Sequence, residues 1–258
     1  MTLERGEALK FQEISWYHFP KTGGTTMRSL LHQVAVAQNY NMTTAYGLKD
    51  ECTNLPFSCN IGTKPFISYG HLREPYILSD QRLLRIMMIR EPHSWLVSRM
   101  QHETRKQNGE SLGLTAALIK FGPRYFNFLP DDSRERAMRW FNHLVRSDKN
   151  SAAISIEGTW ELLQSIELDF RSRTFVLTME YYADSLRLLA AAFDSPRFLP
   201  SSNGVSLPKV NEAFTWQASE PAGSLEELKQ LSRLLEVHNA IYNLALREFF
   251  RQRHLMHI

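Results

Sequence analysis

Long hydrophobic runs are what this 258-residue sequence most plainly lacks. No apolar stretch approaches the roughly 20 residues needed to cross a bilayer. The opening MTLERGEALKF also has none of the apolar core that a signal peptide carries. The expectation is a soluble, cytoplasmic chain with no membrane span. Charge of one sign is missing too: 30 Lys and Arg face 27 Asp and Glu, for a formal net charge of +3. No global basic field argues for bulk nucleic-acid binding, so any anion site must be local. Cysteine is scarce. Cys52 and Cys59, in ECTNLPFSCNIG, either close a small loop disulfide in an oxidising lumen or remain two reduced thiols. The glycosylation sequon Asn41-Met42-Thr43 matters only on the secretory route. Internal repeats and low-complexity tracts are absent.

What is there suits a packed core: 43% of the residues are hydrophobic, enough for a single domain over residues 1–258. ISWYHF, a β-branched and aromatic run from Ile14, predicts a strand; a Gly-Gly turn follows, and MRSLLHQVAVAQNY then has apolar residues at helical spacing. Residues 41–64 read as a loop. KPFISYG and the nearly continuous apolar LLRIMMIR predict two more strands, the second fit for the centre of a parallel sheet. EPHSWLVSRMQHETRKQ has Pro at a helix-opening position and predicts a helix. Further helices are expected within 111–150, broken at FGPRYFNFLPDD, and over 157–170.

RTFVLTME is the fourth predicted strand, and YADSLRLLAAAF the helix after it. Residues 194–223 hold four of the eleven prolines and read as a long functional loop. Ser224 and Glu227 form a capping box for a last helix with Leu228, Leu231, Leu235, His238, Tyr242 and Ala245 on its apolar face. The closing RQRHLMHI reads as a solvated tail. Alternating strands and helices predict an α/β fold with a parallel sheet and right-handed crossovers.

WYHFPKTGGTTMRSLL carries the first chemical signal. Backbone N–H groups of a Gly-rich turn, continued by those opening a helix, form a concave donor cluster suited to phosphate. Lys21 adds a positive charge, and Thr22, Thr25 and Thr26 add hydroxyls. This is not a nucleoside-triphosphate P-loop: His18, Phe19 and Pro20 precede the lysine where that pattern needs glycine, Gly23 and Gly24 follow it, and no magnesium-binding Asp ends an apolar strand. An ordinary tight strand-to-helix connection would explain the two glycines equally well. RIMMIREPHSWLVSRM supplies the second signal, with Arg90 at the end of a central strand and Ser98 about two turns into the next helix. Ligands of doubly wound sheets bind at the C-terminal strand ends, which is where Lys21 and Arg90 would face one crevice.

These two segments resemble the phosphosulfate loop and the 3′-phosphate motif of sulfotransferases that use 3′-phosphoadenosine 5′-phosphosulfate (PAPS). Lys-Thr-Gly-Gly-Thr-Thr with Arg-Glu-Pro is similar to the Golgi carbohydrate group, which includes heparan sulfate 2-O- and 6-O- and galactose 3-O-sulfotransferases. FISYGHL, FVLTMEYYADSL and LPKVNEA extend the resemblance. It implies a P-loop-like sulfotransferase fold, a central parallel sheet flanked by helices, and sulfuryl transfer from PAPS to a carbohydrate or glycan hydroxyl with PAP as product and no metal. Lys21 would stabilise the leaving phosphate; Thr22, Gly23, Gly24, Thr25 and Thr26 would bind the phosphosulfate; Arg90 and Ser98 would hold the 3′-phosphate, with Lys209 added from the long loop.

His71 matches the family's catalytic histidine, with Tyr69 standing where the 2-O type has a second one, and Glu74 competes as general base. The family's membrane anchor and stem have no counterpart here, so the resemblance also implies a Golgi lumen if a targeting segment is missing. An anionic glycan would favour cleft cations, with Arg73, Arg99, Arg105 and Lys106 as candidates that serve equally as a hydrated helix face. Sulfation of a small alcohol, phenol or peptide tyrosine is the alternative within this chemistry. A kinase-like nucleotide-binding module and a catalytically silent homologue stand outside it.

Among the other polar residues, His18 is expected to pack in the first strand and His93 and Ser94 to cap the second helix. Glu180 corresponds to the family's acidic position after the late strand, and His238 is expected to be a satisfied core residue.

Overall fold

The computed structural model describes residues 5–11, 13–17, 22, 24–45, 66–70, 83–106, 113–146, 156–199 and 225–258. They form a mixed α/β fold with a small parallel sheet flanked by helices, a Rossmann-like arrangement. The sheet comprises β1 (Glu13–Tyr17), β2 (Asn41–Ala45), β3 (Phe66–Gly70), β4 (Leu83–Ile89) and β5 (Thr174–Thr178), in the order β2-β3-β1-β4-β5. Every pairing is parallel; Tyr17 lies opposite Gly70 on one side and Met87 on the other. The chain divides into two compact units, one of residues 1–89, 169–209 and 245–258, the other of residues 90–168 and 210–244.

The sheet belongs to the first unit. β1 and β4 are interior strands, and Ile14, Trp16, Leu84, Ile86, Met87, Met88 and Ile89 are all buried. Helix α1 (Gly24–Ala37) packs on β2 and β3. It buries Met27, Leu30, Leu31, Val34 and Ala35, the one-face spacing of an amphipathic helix. Asn39, at φ 57°, ends it: the Tyr40 N–H reaches the Ala35 carbonyl at 2.8 Å and the Asn39 N–H reaches that of Val36 at 3.4 Å, the paired bonds of a Schellman stop. Helix α6 (Tyr182–Ala192) packs on β5.

β2 departs from the expected loop at 41–64. NMTTA has no apolar alternation, and its strand character comes from backbone pairing along β3, Asn41 opposite Phe66 through Ala45 opposite Gly70. The tail departs as well. Helix α7 (Leu225–Leu255) continues through RQRHL, and Gln252 is buried rather than solvated. The Gln252 side chain accepts the Val176 N–H at 3.1 Å and donates to the Thr174 carbonyl at 3.1 Å, pairing with the outer edge of β5 as another peptide would. On the same helix Leu228 is exposed, whereas Leu231, Leu235, His238, Tyr242 and Ala245 are buried as expected.

The second unit is helical. It contains α2 (Pro92–Lys106), α3 (Leu114–Phe121), a 3-10 helix (Gly122–Phe128), α4 (Asp131–Arg146), most of α5 (Ile156–Arg173) and the first two-thirds of α7. Its core is aromatic. Tyr125 meets Trp95, Phe128 and His238 edge to face, and His238 lies 4.6 Å from Phe126 and 5.2 Å from Phe141 between ring centroids. Gly122 keeps that core closed, since a Cβ there would come within 3.0–3.2 Å of Phe141, Leu118 and His238.

Candidate functional site

β1 and β4 are neighbours, yet the chain leaves them in opposite directions: from β1 it runs to β2 on one flank, and from β4 to β5 on the other. This reversal is the switch point at which open α/β sheets bind ligands, outside the C-terminal strand ends. The Lys21 segment follows β1, and Arg90 is one peptide bond beyond the end of β4. Of the first segment, Thr22 is described and buried, Gly24 opens α1, Thr25 is in the first turn, and Thr26 is half-buried. That first turn contains no acidic residue, which leaves the positive end of the helix without a carboxylate of its own turn.

The second segment is held closely. The Ile89 carbonyl accepts the Met179 N–H at 2.9 Å, and the Arg90 carbonyl accepts the Tyr125 hydroxyl at 2.8 Å. Arg90 itself is half-buried. The Glu91 carboxylate then accepts the His93 N–H at 2.9 Å and the Ser94 N–H at 2.6 Å. His93 and Ser94 are thus the capped residues, and Glu91 is the cap: its two oxygens reach both amides, the work that their own side chains were expected to do. Those amide donors are consequently engaged by a carboxylate. An anion near α2 would rely on side chains; Arg90, two residues before the helix, and Ser98 within it are both half-buried.

Further along α2, Arg99 pairs with Glu103 at 2.6 Å. Its guanidinium lies 5.7 Å from the Phe121 ring, which Lys120 and Arg124 also approach, at 5.4 and 5.6 Å. Burial draws the Arg99 pKa below its ordinary value, with Glu103 opposing the shift and Arg124 adding to it. Among the described residues, three cations and one carboxylate thus gather about the Phe121 ring.

At the end of β5, the Thr178 N–H donates to the Ser185 Oγ at 3.0 Å, and the Ser185 hydroxyl returns a bond to the Thr178 carbonyl at 2.9 Å. This brace turns the chain into α6 and leaves Glu180 exposed. Tyr182, the first residue of α6, is buried; burial pushes its pKa up to about 12, and its hydroxyl meets the Met27 sulfur of α1 at 3.7 Å.

Lys21, Gly23, His71, Glu74 and Lys209 lie outside the described residues, as do His18, Arg73, Cys52 and Cys59 and the side chains of Thr25, Arg105 and Lys106. His238 is a buried core residue as expected, but only half satisfied: its Nε2–H donates to the Gly122 carbonyl at 3.1 Å, while its buried Nδ1 has no hydrogen-bond partner among the described residues. Sequence reasoning missed Glu91 as a cap, Tyr125 as an anchor and Gln252 as an edge partner. Only the first left a local sign, a carboxylate directly before the helix-opening proline.

No protein-family model matches this chain, and no curated protein matches it significantly. Among the described residues, no helix is long and apolar enough to cross a membrane.

Proposed function

We propose that the protein is a PAPS-dependent sulfotransferase with a P-loop-like sulfotransferase fold, acting on a hydroxyl of a carbohydrate or glycan. The observation that carries this reading is topological: the two phosphate-seeking segments follow the two neighbouring strands at which the sheet reverses direction. Arg90 suits a 3′-phosphate because a guanidinium gives charge-assisted, two-pronged contacts, and the 3′-phosphate is what separates PAPS from ATP. The cations Arg99, Lys120 and Arg124 gathered about Phe121 favour an anionic acceptor over a neutral phenol.

In the proposed reaction the acceptor oxygen attacks sulfur in line, a new S–O bond forms, and the bond from sulfur to the bridging phosphate oxygen breaks. Lys21 and the turn amides stabilise the charge on the departing 5′-phosphate, PAP leaves, and the acceptor proton passes to His71 or Glu74. Labelled PAPS offered with sulfated and unsulfated glycans, simple phenols and a tyrosine peptide tests the assignment. Transfer to glycans is expected, with His71→Ala lowering kcat about 100-fold or more. Transfer confined to phenols or tyrosine would overturn the acceptor class, and a loss of that size in Glu74→Gln but not His71→Ala would make the glutamate the base.

A further inference from the structure

We infer that Tyr125 is a positioning residue for the anion-binding side chain of Arg90, an inference that rests on the donor-site reading above. Three consecutive residues leaving β4 are anchored one by one: Ile89 through its carbonyl by the Met179 amide, Arg90 through its carbonyl by the Tyr125 hydroxyl, and Glu91 through its carboxylate on the His93 and Ser94 amides. The middle anchor is the one made by a distant side chain, 35 residues away in sequence. A peptide plane fixed on its carbonyl side restricts ψ of Arg90 and φ of Glu91, and with them the direction in which the Arg90 side chain leaves the backbone.

The tyrosine is itself immobilised. It is fully buried, with Trp95 and His238 rings at 5.2 Å and Phe128 at 5.9 Å. His238 is in turn tied to the Gly122 carbonyl, at the start of the 3-10 helix that carries Tyr125. Phenylalanine would fill this aromatic nest without a hydroxyl to desolvate, so packing alone gives no reason for tyrosine. The hydroxyl earns its place by holding Arg90, and a guanidinium aimed before the ligand arrives binds it more tightly than one that must first be ordered.

The test measures PAP and AMP affinities by calorimetry for wild type, Tyr125→Phe, Arg90→Ala and the double variant. Tyr125→Phe keeps the ring and removes only the hydroxyl. PAP binding should weaken at least five-fold while AMP, which lacks the 3′-phosphate, stays within two-fold; in the Arg90→Ala background the tyrosine change should cost nothing more. A PAP affinity within two-fold of wild type, an equal loss for AMP, or a loss that adds to that of Arg90→Ala overturns the inference while leaving the donor site intact. Wild type binding PAP no tighter than AMP instead removes the donor-site reading itself, and the role of Tyr125 with it. Trp95→Phe disturbs the same ring packing with the hydroxyl kept, and it should retain the wild-type preference for PAP. If it loses that preference, packing rather than the hydroxyl sets the site, and the inference fails.

Discussion

His238 makes the helical unit sensitive to acid. The ring is buried among Tyr125, Phe126 and Phe141, and burial lowers its pKa from 6.5 to about 4, against the opposing effect of the Gly122 and Leu234 carbonyls. Above pH 6.5 the ring is neutral whether folded or unfolded and contributes no pH dependence. As pH falls from 6.5 toward 4 the unfolded chain takes up a proton that the folded ring refuses, so stability drops, by about 3 kcal/mol in all, and levels off below. Urea denaturation at pH 7.5 and 4.5 should therefore show wild type losing about 2 kcal/mol more than His238→Gln; equal losses would contradict the assignment. Gly122 belongs to the same cluster. In Gly122→Ala the new methyl group meets Phe141, Leu118 and His238, and thermal melting should report a loss of about 1–3 kcal/mol. None of this coupling was legible beforehand. The sequence marked His238 as one position on an apolar helix face, and the carbonyl that accepts from its Nε2–H is 116 residues away.

Elements were legible where they carry their own pattern. β1, β4 and β5 announce themselves as β-branched or apolar runs, and α1 and α6 by helical spacing that the buried residues follow. β2 had no such pattern, because an edge strand of Asn, Met, Thr and Ala gains its conformation from the neighbour it pairs with. The end of α7 was misread for a related reason: Arg and His suggest solvent, but Gln252 among them hydrogen-bonds two backbone groups of β5, the Val176 amide and the Thr174 carbonyl. An open edge invites pairing with other chains, and a buried glutamine amide closes it. Gln252→Ala leaves the Val176 amide and the Thr174 carbonyl without this partner, so a loss of about 2–3 kcal/mol in urea denaturation is expected. A change below about 0.5 kcal/mol would mean that β5 does not depend on this bridge.

At the scale of the whole molecule, the candidate site was legible as two short segments and their order along the chain. Their placement after adjacent strands follows from the strand order β2-β3-β1-β4-β5, which no local pattern encodes. Strand order decides which strand ends become neighbours, so the sheet brings the ends of β1 and β4 together although 72 residues separate Tyr17 from Ile89. These segments are proposed to bind a nucleotide bearing a 3′-phosphate. Thermal melting of wild type and Arg90→Ala with PAP, ADP, or ATP plus magnesium tests it most directly. A ligand at 100 times its Kd adds about 2.7 kcal/mol of stability, a readily measured shift in Tm. PAP alone should stabilise wild type, and Arg90→Ala should abolish the shift; stabilisation by ATP with magnesium equal to or greater than that by PAP would rule out a site built for a 3′-phosphate.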